Sequence, residues 1–88
     1  MSCNIRIAGP LRPYSQGASS VRAAGSDLGM VLSDLEGMCP GIRRNLIDDQ
    51  NRIRDHIRVF VNACETDDLG APVAAGDVVE LVCALSGG

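Results

Sequence analysis

The stretch Ser26-Asp27-Leu28-Gly29-Met30-Val31-Leu32-Ser33-Asp34-Leu35-Glu36-Gly37-Met38 decides the fold. Leu28, Val31, Leu32, Leu35 and Met38 recur at helical spacing, and Ser33, Asp34 and Glu36 fall on the opposite side. Ser26-Asp27 is an N-cap signal, and Asp27 also suits the positive end of a helix dipole. Pro40-Gly41 stops the pattern. The spacing predicts one main helix over about 27–39. Ile42 and Leu46, four residues apart, add a short helical turn over about 41–46. A helix with a single apolar stripe needs a surface to lie on, so the flanking segments have to supply a sheet.

Upstream, Ile5 and Ile7 alternate with Arg6 and Ala8, and Gly9-Pro10 breaks the run. Residues 12–17 read as a loop. Val21 and Ala23 alternate with Ser20, Arg22 and Ala24, a second strand that forms a hairpin with the first. Downstream, 48–55 is a polar, charged loop. Ile57, Val59 and Val61 then alternate with Arg58, Phe60 and Asn62, the clearest strand of the chain. A turn over 62–65 and a short extended piece over 66–68 follow. Gly70-Ala71-Pro72 and Ala75-Gly76-Asp77 are further turns, and the last strand runs from Val78 to about Leu85. The expected core is Ile5, Ile7, Val21, Leu28, Val31, Leu32, Leu35, Leu46, Ile57, Val59, Val61, Val79 and Leu81. Phe60 and Val82 have the opposite parity and form an exposed apolar pair if both lie on the open face. The fold class is α+β, with a four- to five-stranded sheet packed on one main helix.

Composition narrows the function. Eighty-eight residues suit one small domain. The net charge is −3 and Tyr14 and Phe60 are the only aromatics, which argues against nucleic-acid binding. The late acidic residues could steer the chain to a basic partner. No apolar run reaches the roughly 20 residues a membrane helix needs, and no secretory signal is legible, so a cytoplasmic protein with reduced thiols is expected. Cys3, Cys39, Cys64 and Cys83 make no CxxC or cluster spacing, so no metal is expected. Cys39 and Cys83 read as small core hydrophobes and Cys64 as an exposed thiol. His56 stands without a partner for a catalytic dyad. All eight basic residues are arginine, so the only amine is the N-terminus.

The chain stops on Gly87-Gly88. Two residues without side chains put an α-carboxylate on a slim stalk that can be threaded into another enzyme's active site. A frayed end that happens to finish in glycine is the other reading.

These elements and this end together resemble the ThiS/MoaD family of β-grasp sulfur carriers. The resemblance covers nearly the whole chain. It rests on the opening strand with Pro10-Leu11-Arg12-Pro13, the helix Asp27 to Glu36, and Pro40-Gly41-Ile42. It continues through Arg58-Val59-Phe60-Val61-Asn62, Ala75-Gly76-Asp77-Val78-Val79 and Ala84-Leu85-Ser86-Gly87-Gly88. Leu-Arg-Pro and the Leu-x-x-Val-x-Ser-Asp-Leu-Glu helix are most similar to the CysO-like carriers of cysteine biosynthesis. A turn and one strand residue depart from the family pattern: Ala63-Cys64-Glu65 stands where glycine or aspartate is usual, and Cys83 where proline is common.

The resemblance implies a ubiquitin-like β-grasp domain over 1–85 and a flexible tail over 86–88. It implies that an E1-like enzyme uses ATP and magnesium to adenylate the Gly88 carboxylate, and that a sulfur donor then converts it to a thiocarboxylate. Gly87 gives slimness, Ser86 and Leu85 direct the stalk, and this chain is a cosubstrate that binds no cofactor and catalyses nothing. Implied later partners are a sulfur-acceptor enzyme, such as a pyridoxal-phosphate-dependent cysteine synthase, and a zinc peptidase. Thiamin, molybdopterin or a natural product are other destinations for the sulfur. Phe60, Val82 and Arg58 are the candidate docking surface. A ubiquitin-like modifier conjugated through Gly88, and a plain β-grasp interaction module, are the competing readings.

Overall fold

Alternation in the first strand is realised residue by residue. In β1 (Cys3–Ile7) the side chains of Cys3, Ile5 and Ile7 are buried and those of Asn4 and Arg6 are exposed. The computed structural model describes residues 2–83. After β1 come β2 (Ser20–Ala23), α1 (Leu28–Met38), α2 (Ile42–Leu46), β3 (Ile57–Val61), β4 (Cys64–Glu65) and β5 (Val78–Cys83). The five strands form one mixed sheet in the order β2-β1-β5-β3-β4. β5 lies in the middle, parallel to β1 and antiparallel to β3. This is the ubiquitin-like β-grasp architecture.

The core lies between one sheet face and α1. Leu28, Val31, Leu32 and Leu35 are fully buried, as are Ile5, Val59 and Val79. Burial of that kind stabilises by about 1.5–3 kcal/mol per large aliphatic side chain. Local polar contacts fix the helix. The Asp27 carboxylate accepts from the Met30 N–H at 2.8 Å, which is the expected cap. Asp34 accepts from the Ala24 N–H at 2.8 Å and ties the helix to the end of β2. Glu36 accepts from the N–H groups of Gly41 and Arg43 at 2.8 and 2.9 Å, joining the end of α1 to the start of α2. Those two N–H donors hold its carboxyl below the usual carboxylate range.

Several expectations are corrected. Residues 12–17 belong mostly to a 3₁₀ segment (Gly9–Ser15), not a loop. Pro10 presets φ there, and Leu11 anchors the segment in the core at 4% exposure. Met38 does not continue the buried stripe and is 47% exposed. The chain leaves the helix at Cys39, and that residue takes the buried place. Val21 and Val61 are half-buried and pack against the core from its rim. The turn expected over 62–65 is only Asn62-Ala63, both with positive φ (51° and 70°). Two consecutive left-handed residues close the tightest hairpin, so the next strand starts at once as Cys64–Glu65 and not at 66–68. The polar loop over 48–55 is anchored by a bridge between Ile47 and Ile53. Ile47, Ile42, Val73, Leu11, Ala23 and Cys3 join the core beyond the set read from periodicity.

Candidate functional site

Everything about the site follows from where β5 leads. As the central strand it is hydrogen-bonded on both sides, and it delivers the chain past Cys83 at one end of the sheet. That end is bordered by the start of β3, where Ile57 pairs with Cys83, and by the close of β1, where the Ala8 N–H reaches Leu81 O at 3.1 Å. Cys83, the last described residue, is thus held in place by the sheet. Leu85, Ser86, Gly87 and Gly88 lie outside the described residues.

Cys83 faces the helix side of the sheet and is half-buried, and burial pushes its thiol pKa up. The other cysteines divide as expected: Cys39 is buried and Cys64 is exposed at the hairpin. No group of three or more metal-binding side chains occurs among the described residues. His56 is exposed in the turn before β3. The groove beside β3 is lined by the charged residues Arg54, Asp55, Arg58, Glu65 and Asp67 together with Thr66 and the apolar Ile53, Ile57 and Val59. No helix among the described residues is long and apolar enough to cross a membrane.

The register brings Phe60, Val82 and Arg58 onto one face, the one turned away from α1. Phe60 is directly opposite Glu80, and Arg58 is directly opposite Val82. Phe60 and Val82 are thus diagonal neighbours. Val82 is 38% exposed and Phe60 is half-buried. Arg58 is held by its own chain. Its Nε lies 3.5 Å from a Glu65 carboxylate oxygen, and its Nη1 donates to the Asp55 carbonyl at 2.9 Å.

Sequence reading did not identify the other members of this face. Arg6 pairs in register with Glu80, Asn4 with Val78, and Arg22 and Ser20 with Asn4 and Arg6. Alternation marked Arg6 and Arg22 as outward-facing, but only the strand order puts them on the same surface as Phe60.

The chain was compared with known proteins. No family model matches it. It is 33% identical over 93 residues to the curated sulfur carrier protein CysO of Mycobacterium tuberculosis, with both chains covered in full. Among solved structures, a chain of the complex of BexX and CysO from Amycolatopsis orientalis superposes with a TM-score of 0.91 at 28% identity, covering 98% of this chain and 99% of that one. SAMP1 of Haloferax volcanii superposes with a TM-score of 0.86 at 28% identity, with both chains covered in full.

Proposed function

The chain belongs to the CysO family of ubiquitin-like sulfur carrier proteins, and from that premise we propose that its Gly88 carboxylate is the group that carries sulfur. The reading is supported by one observation above all. The similarity to a sulfur carrier runs to the last residue of both chains, and this chain ends there in Gly87-Gly88.

A carboxylate is a poor acyl electrophile because its leaving group would be oxide. An activating enzyme removes that obstacle by forming the acyl adenylate from ATP and releasing pyrophosphate. A persulfide's terminal sulfur attacks the Gly88 carbonyl carbon as AMP leaves. A thiol then cleaves the S–S bond, giving a disulfide and the Gly88 thiocarboxylate. ATP and magnesium belong to the activating enzyme, and this chain is its cosubstrate. Gly87 and Gly88 let the backbone enter a narrow channel. Ser86 and Leu85 join that stalk to the strand. The thiocarboxylate sulfur would add to the carbon–carbon double bond of an aminoacrylate supplied by a pyridoxal-phosphate-dependent acceptor enzyme, giving a thioester. The Gly88 acyl group would then pass from sulfur to the cysteine amine, and hydrolysis of that amide by a zinc peptidase would release cysteine and restore the Gly88 carboxylate. The CysO similarity favours this destination. Phe60 and Val82 provide the apolar part of the docking surface.

The deciding experiment is intact-mass analysis after co-expression with the activating enzyme. The full-length chain gains one sulfur for one oxygen, and a chain lacking Gly88 does not. A full-length chain that never makes the exchange refutes the proposal. The SAMP1 likeness supports a second reading, conjugation through Gly88 to a target lysine. Recovery of Gly88 in amide linkage to lysines, without the mass exchange, would establish that reading instead.

A further inference from the structure

Two strands of the sheet end it with a free edge, β2 and β4. β4 is only Cys64–Glu65, too short to offer much of a template. β2 (Ser20–Ala23) is longer and has neither a proline nor a charge pointing inward. It bonds to β1 through alternate residues. The Ile7 N–H donates to the Ser19 carbonyl at 2.9 Å, so the bonded pairs that follow are Ile5 with Val21 and Cys3 with Ala23. The N–H and C=O groups of Ser20 and Arg22 therefore point away from β1. The next outward donor, the Ala24 N–H, is taken by the Asp34 carboxylate at 2.8 Å. Those of Ser20 and Arg22 have no backbone partner among the described residues.

This edge runs beside an apolar channel. Half-buried Val21 forms one side. The other side is the flank of α1 that Asp34 joins to β2. Met30 and Met38 lie one turn before and one turn after Asp34 on that flank, 53% and 47% exposed. On the opposite face of the sheet, Arg22 borders the edge and Arg6 stands behind Ser20. Both arginines are exposed. The one ion pair among the described residues joins Arg58 to Glu65, so neither has a carboxylate within 4.0 Å there.

We infer that β2 is a recognition edge. It accepts an extended segment of another protein as one more strand, with apolar residues at alternate positions and carboxylates between them. Strand geometry demands that alternation, because successive side chains point to opposite faces. The groups of Ser20 and Arg22 supply the hydrogen bonds. On the helix side the added strand meets Val21, Met30 and Met38, and the flexible thioethers adapt to apolar side chains. The Asp34 carboxylate in the same channel repels an acidic residue there. On the opposite side Arg22, with Arg6 behind it, attracts one. Charge also disfavours a second copy of this chain as the occupant. Two copies pairing through β2 would bring their Arg22 side chains together as diagonal neighbours on one face. β2 is two strands away from β5, roughly 10 Å. The segment can therefore bind while the end of the chain is engaged elsewhere, and the inference does not rest on the carrier reading.

The test titrates the isotope-labelled full chain with a synthetic peptide of about eight residues alternating valine and glutamate, followed by amide NMR. The Ser20 and Arg22 amide signals shift and gain protection from hydrogen exchange, while those of Phe60 and Glu65 stay in place. A peptide alternating valine and lysine binds at least about tenfold more weakly, and Arg22→Glu reverses that preference. Ser20→Pro removes one outward N–H, leaves the pairs with β1 intact and weakens binding by about threefold. The exposed-site double variant M30S/M38S also weakens it by about threefold, and it carries the comparison if S20P melts early. Melting curves of R22E and M30S/M38S match the wild type. Absence of binding, equal affinity for the two peptides, or shifts centred on β4 overturn the inference. So does dimerisation through the same amides without peptide, which would give the edge to a second copy. No activating enzyme is present, so failure of sulfur loading would leave this result standing.

Discussion

Val79 and Val82 sit three residues apart on the same strand and have opposite fates. Val79 is fully buried against the helix layer, whereas Val82 is exposed on the other side of the sheet. The difference is set by neighbours. One face of β5 is covered by α1. Among the described residues, the other has beside it β1 and β3 residues such as Arg6, Arg58 and Phe60. The covered face is specified by packing inside the molecule, so its residues answer to stability. The open face has no internal layer to satisfy, so its residues are left free for the docking proposed above. A residue's parity on β5 therefore separates stability from that proposed role.

Substitutions on the two faces test that separation. The largest effect is expected from L35A on the covered side. Leu35 is fully buried, and the cavity costs about 2–5 kcal/mol in chemical denaturation. Val82→Ala on the open side should stay within about 0.5 kcal/mol. Equal losses at both sites would dissolve the contrast. Phe60→Ala comes next. It should reduce binding to the activating enzyme by about 2 kcal/mol, as buried aromatic anchors do, while costing less stability than L35A. A Phe60 that matters only to stability would move it to the covered side of the division.

A smaller effect belongs to the end of α1. E36A removes two hydrogen bonds to the start of α2 and should cost about 1–2 kcal/mol. The Glu36 pKa is lowered in the folded state, chiefly by the Gly41 and Arg43 N–H groups. Its stabilisation is therefore complete above the ordinary carboxylate range and is lost as pH falls through the lowered folded-state value. Melting curves of wild type and Glu36→Gln should converge on acidification. A gap that is unchanged by pH would show that packing and not charge is responsible. The smallest effect is a gain. Ala63 is held at φ 70° in the hairpin, and A63G should stabilise by about 0.5–1 kcal/mol by relieving that conformation.

Much of the fold was legible because local chemistry and tertiary packing agree. Asp27 caps α1 as its position suggests, and Leu28, Val31, Leu32 and Leu35 are buried because helical spacing puts them on one side. The failures fall where a local signal was overruled. Met38 fits the helical period, but the backbone turns at Cys39 and buries that residue instead. The 62–65 turn was read too long because two consecutive left-handed residues close it in the smallest possible space. The candidate surface was half legible. Parity put Phe60, Val82 and Arg58 on one side, but nothing local reveals that Glu65 would occupy Arg58 or that Arg6 and Arg22 would join the same face.

The chain by itself determined the helix, the strands and which residues of each strand face inward, because periodicity and caps act between residues close in sequence. It also determined the terminal Gly87-Gly88. Only the tertiary structure decided that β5 inserts between β1 and β3, since that pairing joins residues 18 to 26 positions apart on one side and 74 apart on the other. It brings Arg6 and Glu80 into one row of one surface. Sheet order is chosen by the summed burial of all the strands against α1, and no single stretch of sequence records that sum.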